Sequence, residues 1–134
     1  MGLNRRILIA DDDPDMREGV ADLLGHMRLS DLRLGDLSFD ICSVETGDEA
    51  LVHLRRDRFD LALLDHHMPG RTGLEVLAAL RDETLRVPCI VISGEATEAL
   101  RKMALNQGAL AVLGKPVDPG LLRAQVARVF ALAG

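Results

Sequence analysis

The chain has 134 residues, which suits one domain with a proper hydrophobic core. Aromatic residues are scarce, with three Phe, no Tyr and no Trp, so the predicted core is aliphatic. A net charge of -5 and so few rings argue against a nucleic-acid-binding surface, which needs basic patches or stacking side chains.

No segment approaches the length of a membrane span, and the first apolar run ends at three aspartates, unlike a signal peptide. Cys42 and Cys89 lie among apolar residues without a CxxC spacing, which predicts buried, reduced thiols. We therefore predict a cytoplasmic protein that makes no membrane contact.

Five short apolar runs recur along the chain, each bounded by charged residues, Gly or Pro. Runs of this length are typical of strands that are buried in a parallel sheet. The runs are ILIA (7–10), FDICSV (39–44), LALL (61–64), CIVI (89–92) and LAVL (110–113).

Amphipathic segments with helical spacing separate these runs. Asp13 and Asp118 each precede a proline and are predicted helix N-caps, and Gly108 is a predicted C-cap. Five strands that alternate with five helices predict an α/β fold, a doubly wound parallel sheet with helices on both faces. The helical segments are 16–27, 47–57, 73–83, 95–108 and 118–132.

One segment, RLSDLRLGDLSF (28–39), lengthens the link between the first helix and the second strand. It suits a small hairpin with Gly35 in the turn, and an extended first helix followed by a loop is nearly as good an interpretation. We therefore treat 28–39 as an insertion between helix 1 and strand 2.

Polar residues follow the predicted strands where ligands bind in open parallel sheets, beyond the carboxyl ends. Asp11 and Asp12 follow the first strand, Asp65 ends the third, Ser93 follows the fourth and Lys115 the fifth. Each residue alone could cap a helix or lie in a loop, but together they predict a site. Clustered carboxylates suit Mg²⁺, and a carboxylate can itself act as a nucleophile. A lysine can neutralise a transferring phosphoryl group.

The motifs ILIADDDPDMRE, DLALLDHHMPGRTGLEVL, PCIVISGE and LGKP resemble those of response-regulator receiver domains of two-component signalling. The resemblance covers essentially the whole chain. Asp65 and Ser93 are 28 residues apart and Ser93 and Lys115 are 22 apart, as is usual in that family. The resemblance implies a flavodoxin-like receiver fold and one receiver domain over residues 1–134.

The resemblance also implies a role for each matching residue. Asp65 matches the phosphoacceptor, and Asp11 and Asp12 match the acidic pair that binds Mg²⁺ with it. His67 would add its backbone carbonyl to the metal ligands. Ser93 would hydrogen-bond a phosphoryl oxygen. Lys115 would pair with the phosphoryl group and form a cis peptide bond with the proline that follows it. Three residues would shape the turn behind the acceptor and keep it exposed: Pro69, Gly70 and Gly73.

Val112 departs from the family pattern, and a pair of histidines raises the separate question of a zinc site. Val112 stands three residues before Lys115, where the family usually has an aromatic residue that rotates during switching. The adjacent His66 and His67 suggest a zinc site, but neighbouring side chains at a strand end should point apart and no third soft ligand is near. We therefore do not predict zinc.

The expected function is phosphoryl transfer from a sensor histidine kinase or histidine phosphotransfer protein to Asp65, followed by a conformational change. The changed face would be helix 4, strand 5 and helix 5, about 96–131, and it would contact a downstream target, a linked output domain or a second copy in a phosphorylation-dependent homodimer. Its catalysis would be limited to its own phosphorylation and dephosphorylation.

The alternative is a phosphorylation-independent interaction module with the same fold, which Val112 favours and the complete set of site residues opposes. A phosphohydrolase of the haloacid-dehalogenase type ranks last, because it needs a second Asp where His67 stands.

Overall fold

A parallel sheet of five strands forms the centre of the fold, in the order β2-β1-β3-β4-β5. The computed structural model describes residues 3–25 and 37–133. The strands are β1 (Leu3–Ala10), β2 (Leu37–Val44), β3 (Leu61–Asp65), β4 (Cys89–Ser93) and β5 (Ala111–Gly114). The helices are α1 (Pro14–Gly25), α2 (Gly47–Arg56), α3 (Gly73–Asp82), α4 (Glu98–Asn106) and α5 (Pro119–Ala133). Their alternation along the described chain confirms the predicted doubly wound α/β fold.

Each central strand supplies two hydrophobic cores, because successive side chains point to opposite faces of the sheet. On one face, Leu8 and Val112 pack in a core with residues of α2, α3 and α4. On the other face, Ile7 and Leu113 pack with residues of α1 and α5. Both faces of the sheet are therefore covered, which explains why the strands are apolar runs rather than alternating patterns.

The two predicted N-caps are confirmed, whereas the C-cap of α4 is Gln107 and the predicted Gly108 follows it. The Asp13 carboxylate accepts the N–H of Asp15 at 3.0 Å, and that of Asp118 accepts the N–H of Gly120 at 2.8 Å. Gly108, just beyond α4, has a φ of 99°, which an L side chain rarely adopts. These residues set where α1 and α5 begin and where α4 ends.

The first two strands extend beyond the predicted boundaries. β1 begins at Leu3 because its polar residues pair with β2, in a register that places Asn4 opposite Ser38. Arg6 remains in the strand with its guanidinium 4.7 Å from the centre of the Phe59 ring. Residues 37–39, assigned to the insertion, form the start of β2. The rest of the insertion, 28–36, lies outside the described residues, so the hairpin stays a prediction.

The two cysteines differ in burial. Cys89 is buried, and burial raises the pKa of its thiol to about 12. Cys42 was also predicted to be buried but is only half-buried, because β2 lies at the edge of the sheet. Both thiols are free. In residues 3–25 and 37–133, none of the helices combines the length and the apolar character that crossing a bilayer requires.

Candidate functional site

The sheet topology creates a crevice where β1 and β3 end. From β1 the chain continues to β2 on one side, and it later returns to β3 on the other side. Ala10 lies opposite Leu64, so Asp11 and Asp65, the next residues along, are neighbours. Such a reversal of strand order is where ligands bind in open α/β sheets.

Backbone hydrogen bonds from neighbouring strands hold the site residues in place. The N–H of Asp11 donates to the carbonyl of Val44 at 3.1 Å. On the far side of the site, the N–H of Lys115 donates to the carbonyl of Ser93 at 2.9 Å. The Lys115–Pro116 peptide bond is cis, as predicted. The sheet itself therefore fixes the positions of these groups.

Lys115 lies between two carboxylates. Its Nζ is 3.0 Å from Asp11 Oδ2 and 3.1 Å from Asp65 Oδ2. The other oxygens are also bonded: Asp11 Oδ1 accepts the N–H of Asp13 at 2.9 Å, and Asp65 Oδ1 accepts the N–H of His67 at 3.2 Å. The structure thus brings together the three residues that the sequence placed at the ends of different strands.

The expectation that the turn keeps Asp65 exposed is wrong, because the residue is only 3% exposed. Asp65 is still the last residue of β3 and lies opposite Ile92 of β4, so it has neighbours on both sides. The loop behind it returns closely as well: a Cβ at Gly73 would lie 2.9 Å from the Asp65 carbonyl oxygen. The carboxylate is therefore shielded from open solvent.

The pKa values of Asp65 and Lys115 are both raised, which favours the neutral form of the acid and the charged form of the amine. Burial raises the pKa of Asp65 and outweighs the hydrogen bond from Lys115, and the charge of Asp11 raises it further. Burial alone would lower the pKa of Lys115, but its hydrogen bonds to Asp11 and Asp65 raise it overall. The site therefore holds a firmly charged ammonium and a surplus of negative charge.

Asp12 completes a cluster of three carboxylates. One oxygen each from Asp11, Asp12 and Asp65 lies within 4.8 Å of the others, and Asp12 is exposed at the mouth of the crevice. A single ammonium cannot neutralise three carboxylates. Their oxygen atoms are the donors that a hard cation such as Mg²⁺ prefers, so the residues fit the predicted metal.

Ser93 is wholly buried at the end of β4. Its Oγ accepts the N–H of Glu95 at 3.0 Å. Among residues 3–25 and 37–133, no group accepts the Ser93 O–H. A hydroxyl can accept and donate at once, so Ser93 retains a donor for an incoming oxygen.

The two histidines do not point apart as we expected. The His66 and His67 rings lie 4.9 Å apart, edge to face; His66 is half-buried and His67 is exposed. Burial lowers the pKa of His66, and the neighbouring His67 lowers it further. In the described part of the chain, no third potential ligand forms a metal cluster with this pair.

Arg17 belongs to the site but was missed from the sequence. Its Nη1 donates to the backbone carbonyl of Asp11 at 2.6 Å, and its Nη2 lies 3.5 Å from Glu45 Oε1. The side chain thus supports the loop that carries the acidic pair. Glu45 follows β2, so no local pattern in the sequence could reveal this contact.

Comparison with known proteins assigns the fold and the family. The sequence model of the response regulator receiver domain matches residues 7–127. The chain is 33% identical over 128 residues to the response regulator protein PilR of Pseudomonas aeruginosa, covering 96% of this chain and 26% of PilR. It is 34% identical over 113 residues to the receiver protein Anae109_2439 of Anaeromyxobacter, covering 84% of this chain and 43% of that protein.

Solved structures give the same result. The signal receiver domain of the putative response regulator NarL from Mycobacterium tuberculosis is similar at 30% identity and a TM-score of 0.78, covering 93% of this chain and 94% of that one. The chemotaxis response regulator CheY4 of Vibrio cholerae is similar at 26% identity and a TM-score of 0.77, covering 95% of this chain and 99% of that one. This chain belongs to the response regulator receiver domain family of two-component signalling.

Proposed function

We propose that Asp65 accepts a phosphoryl group and that the resulting change in conformation transmits a signal. The observation that carries this proposal is the position of Lys115, whose ammonium lies 3.0 and 3.1 Å from Asp11 and Asp65 beside an exposed third carboxylate, Asp12. The arrangement suits a nucleophile, a cation site and a charged group for the phosphoryl oxygens. Because the set is complete, the phosphorylation-independent alternative is not favoured.

The transfer step starts from a phosphohistidine of a sensor histidine kinase or a histidine phosphotransfer protein. An Asp65 carboxylate oxygen forms a bond to phosphorus while the bond from phosphorus to the imidazole nitrogen breaks. The electron pair of that bond stays on the imidazole, which a proton then neutralises. The product is an acyl phosphate on Asp65.

Residues of this chain provide the remaining roles. Lys115 exchanges its contact with Asp65 Oδ2 for a phosphoryl oxygen, and the free Ser93 O–H donates to another. Asp11, Asp12, Asp65 and the backbone carbonyl of His67 would hold Mg²⁺. When bound, that ion supplies positive charge that offsets the charge on the phosphoryl oxygens. The same site would hydrolyse the acyl phosphate, so the catalysis is limited to this chain's own modification.

The signalling face in this proposal is formed by α4, β5 and α5, about residues 96–131. Met103 on α4 is 55% exposed and Leu121 on α5 is 57% exposed, which gives this face apolar atoms for a protein partner. The partner is a downstream target, an output domain or a second copy.

We treat residues 1–134 as one cytoplasmic receiver domain that does not itself bind nucleic acid. The chain spans 26% and 43% of the two curated relatives described above, so the activity of a longer protein is part of the proposal.

The test is to incubate the protein with Mg²⁺ and acetyl phosphate and to record the intact mass. We expect a gain of one phosphoryl group in the wild type and in Asp82→Asn, an exposed carboxylate on α3. Asp65→Asn and a sample with EDTA should show no gain. A short-lived adduct would escape this measurement, so a titration with beryllofluoride and Mg²⁺ follows. If the wild type neither gains mass nor binds beryllofluoride, the proposal is wrong.

A further inference from the structure

A single hydrogen bond from Arg101 links α4 to β5. Its Nη1 donates to the backbone carbonyl of Val112 at 3.0 Å, and the side chain is half-buried. No carboxylate of the described residues forms an ion pair with Arg101, so this carbonyl is its polar partner there. A charged donor makes a stronger hydrogen bond than a neutral one. The contact therefore ties the helix to the edge strand of the sheet.

Val112 cannot itself report the state of the site by rotating. It is 2% exposed and packs in the core between the sheet and α4. Its β-branched side chain is stiff about χ1 and has no ring that could move between two pockets. In this receiver, any coupling between Ser93 and α4 follows another route.

The turn before α4 offers that route. Ser93 Oγ is bonded to the N–H of Glu95, and the Glu95 carbonyl accepts the N–H of Thr97 at 2.8 Å. Thr97 caps α4 by accepting the N–H of Leu100 at 3.1 Å. A Cβ at Gly94 would meet nothing within 4 Å, so no neighbouring atom packs against that side of this turn. A movement of Ser93 toward a phosphoryl group therefore pulls on the first turn of α4.

We propose that Arg101 is a latch that opposes this movement. Its bond to Val112 holds α4 against β5 in the arrangement in which Ser93 is bonded to Glu95, and phosphorylation of Asp65 releases it. The latch rests on the proposed function, since it acts through the phosphoryl group on Asp65. The latch lowers the fraction of molecules in the conformation that receives the phosphoryl group. It therefore weakens the apparent affinity for beryllofluoride, which mimics that group.

The experiment measures beryllofluoride binding in the presence of Mg²⁺ by calorimetry, because the chain has no Trp for fluorescence. Arg101→Met keeps an apolar stem but has no donor. Lys102→Met is the matched control, since it removes the same charge from the next, exposed position of α4. We expect Arg101→Met to bind up to about tenfold more tightly than the wild type, because removing one charge-assisted hydrogen bond shifts the equilibrium by that order. Lys102→Met should stay within about twofold.

Equal or weaker binding by Arg101→Met overturns the latch. Urea unfolding of the variant distinguishes the latch from a purely structural role of Arg101. A purely structural role would lower the stability and leave the affinity for beryllofluoride unchanged. If the wild type neither binds beryllofluoride nor gains mass from acetyl phosphate, both the latch and the proposed function fall. If wild type binds and Arg101→Met binds equally, only the latch falls.

A measurement on the wild type covers the case in which Arg101→Met does not fold. The bond to Val112 should slow rotation of the Arg101 guanidinium in NMR spectra of the protein with Mg²⁺. We expect addition of beryllofluoride to remove that hindrance. Hindered rotation that persists in the beryllofluoride complex contradicts the release of the latch.

Discussion

At the scale of single residues, the site contains more buried negative charge than positive charge. Asp11 and Asp65 are 2% and 3% exposed, and both contact the one ammonium of Lys115. Removing one partner of a buried pair leaves an uncompensated charge, which costs more than the pair contributes. Removing the ammonium and removing one carboxylate should therefore change the stability of the protein in opposite directions.

Lys115→Met should destabilise the protein, because it leaves two buried carboxylates without a counter-charge. We expect the free energy of unfolding in buffer with EDTA to fall by about 3 kcal/mol. Urea denaturation followed by far-ultraviolet circular dichroism measures this change. Lys102→Met, an exposed lysine on α4, is the control and should change stability by less than about 1 kcal/mol. Equal losses in the two variants would contradict the electrostatic account.

Asp65→Asn should stabilise the protein near neutral pH. Folding raises the pKa of Asp65 through burial, so stability is greatest where this carboxyl is protonated and is lost as the pH rises through its folded pKa. Asn cannot ionise and avoids that loss. The midpoint of thermal unfolding, measured with EDTA between about pH 5 and pH 8, should therefore be higher in the variant, and the difference should shrink as the pH falls.

Asp82→Asn is the control for this pH dependence, since Asp82 is exposed on α3 and lies outside the site. It should follow the wild type at each pH. A wild type that is more stable than Asp65→Asn at neutral pH would show that Lys115 outweighs the burial of Asp65.

At the scale of elements, the start of α2 holds the loop that follows Asp65. A Cβ at Gly47 would lie 2.8 Å from Arg71 Cβ and closer still to the Arg71 carbonyl oxygen. The side chain of Arg71 pairs with Asp48 at 2.9 Å. Next to it, Thr72 opens α3 with a capping box that Glu75 completes. The C-terminal end of the loop is therefore held both by α2 and by the cap of α3.

Gly47→Ala should displace this loop and lower both stability and phosphorylation. The added methyl group meets backbone atoms that cannot rotate away, and such overpacking costs about 1 to 3 kcal/mol. Urea unfolding gives the loss of stability, and the rate of mass gain from acetyl phosphate gives the effect on Asp65. We expect the rate to fall because the N–H of His67, a residue of this loop, bonds Asp65 Oδ1.

Gly19→Ala provides the matched control with the opposite sign. Gly19 is exposed in α1, and a Cβ there meets nothing within 4 Å. Alanine in a helix is favoured over glycine, so this variant should gain about 0.5 to 1 kcal/mol and keep the wild-type rate. A loss of stability in both variants would indicate that the close approach at Gly47 is not the cause.

At the scale of the whole molecule, the strand order brings distant parts of the chain to one edge. Three site residues come from the ends of different strands: Asp11 from β1, Asp65 from β3 and Lys115 from β5. They meet because β1 and β3 are neighbours and only β4 lies between β3 and β5. A cation at this edge would be bound by the folded chain and not by the unfolded chain. Metal binding and global stability are therefore linked.

Mg²⁺ should raise the thermal stability of the whole chain. At about 100 times its dissociation constant, a ligand of the folded state adds about 2.7 kcal/mol, a shift of several degrees. Differential scanning calorimetry with MgCl₂ against NaCl of equal ionic strength separates binding from screening. Asp12→Asn should lose most of the shift and keep the stability without Mg²⁺, because Asp12 is exposed. A full shift in that variant would exclude Asp12 as a ligand.

The local chemistry of the sequence was sufficient to predict the elements and the family. Apolar runs indicated the strands, Asp13, Asp118 and Gly108 indicated helix ends, and the motifs around Asp65, Ser93 and Lys115 indicated a receiver domain. These features can be predicted from the sequence because a cap, a buried strand or a motif depends on residues that are close along the chain. The cis bond at Lys115–Pro116 was predicted for the same reason.

Contacts between distant segments required the tertiary structure. The burial of Asp65 depends on β4 and α3, the contact of Arg17 with Glu45 depends on where α1 lies beside the end of β2, and the hydrogen bond from Arg101 to Val112 depends on how α4 packs on β5. Each of these contacts joins groups whose separation in space is set by packing, because a side chain's partner across the fold leaves no periodic pattern in its own segment. The sequence by itself therefore determined which chemical groups the site contains, and the packing of the sheet and helices decided how deeply they are buried and which side chains contact them.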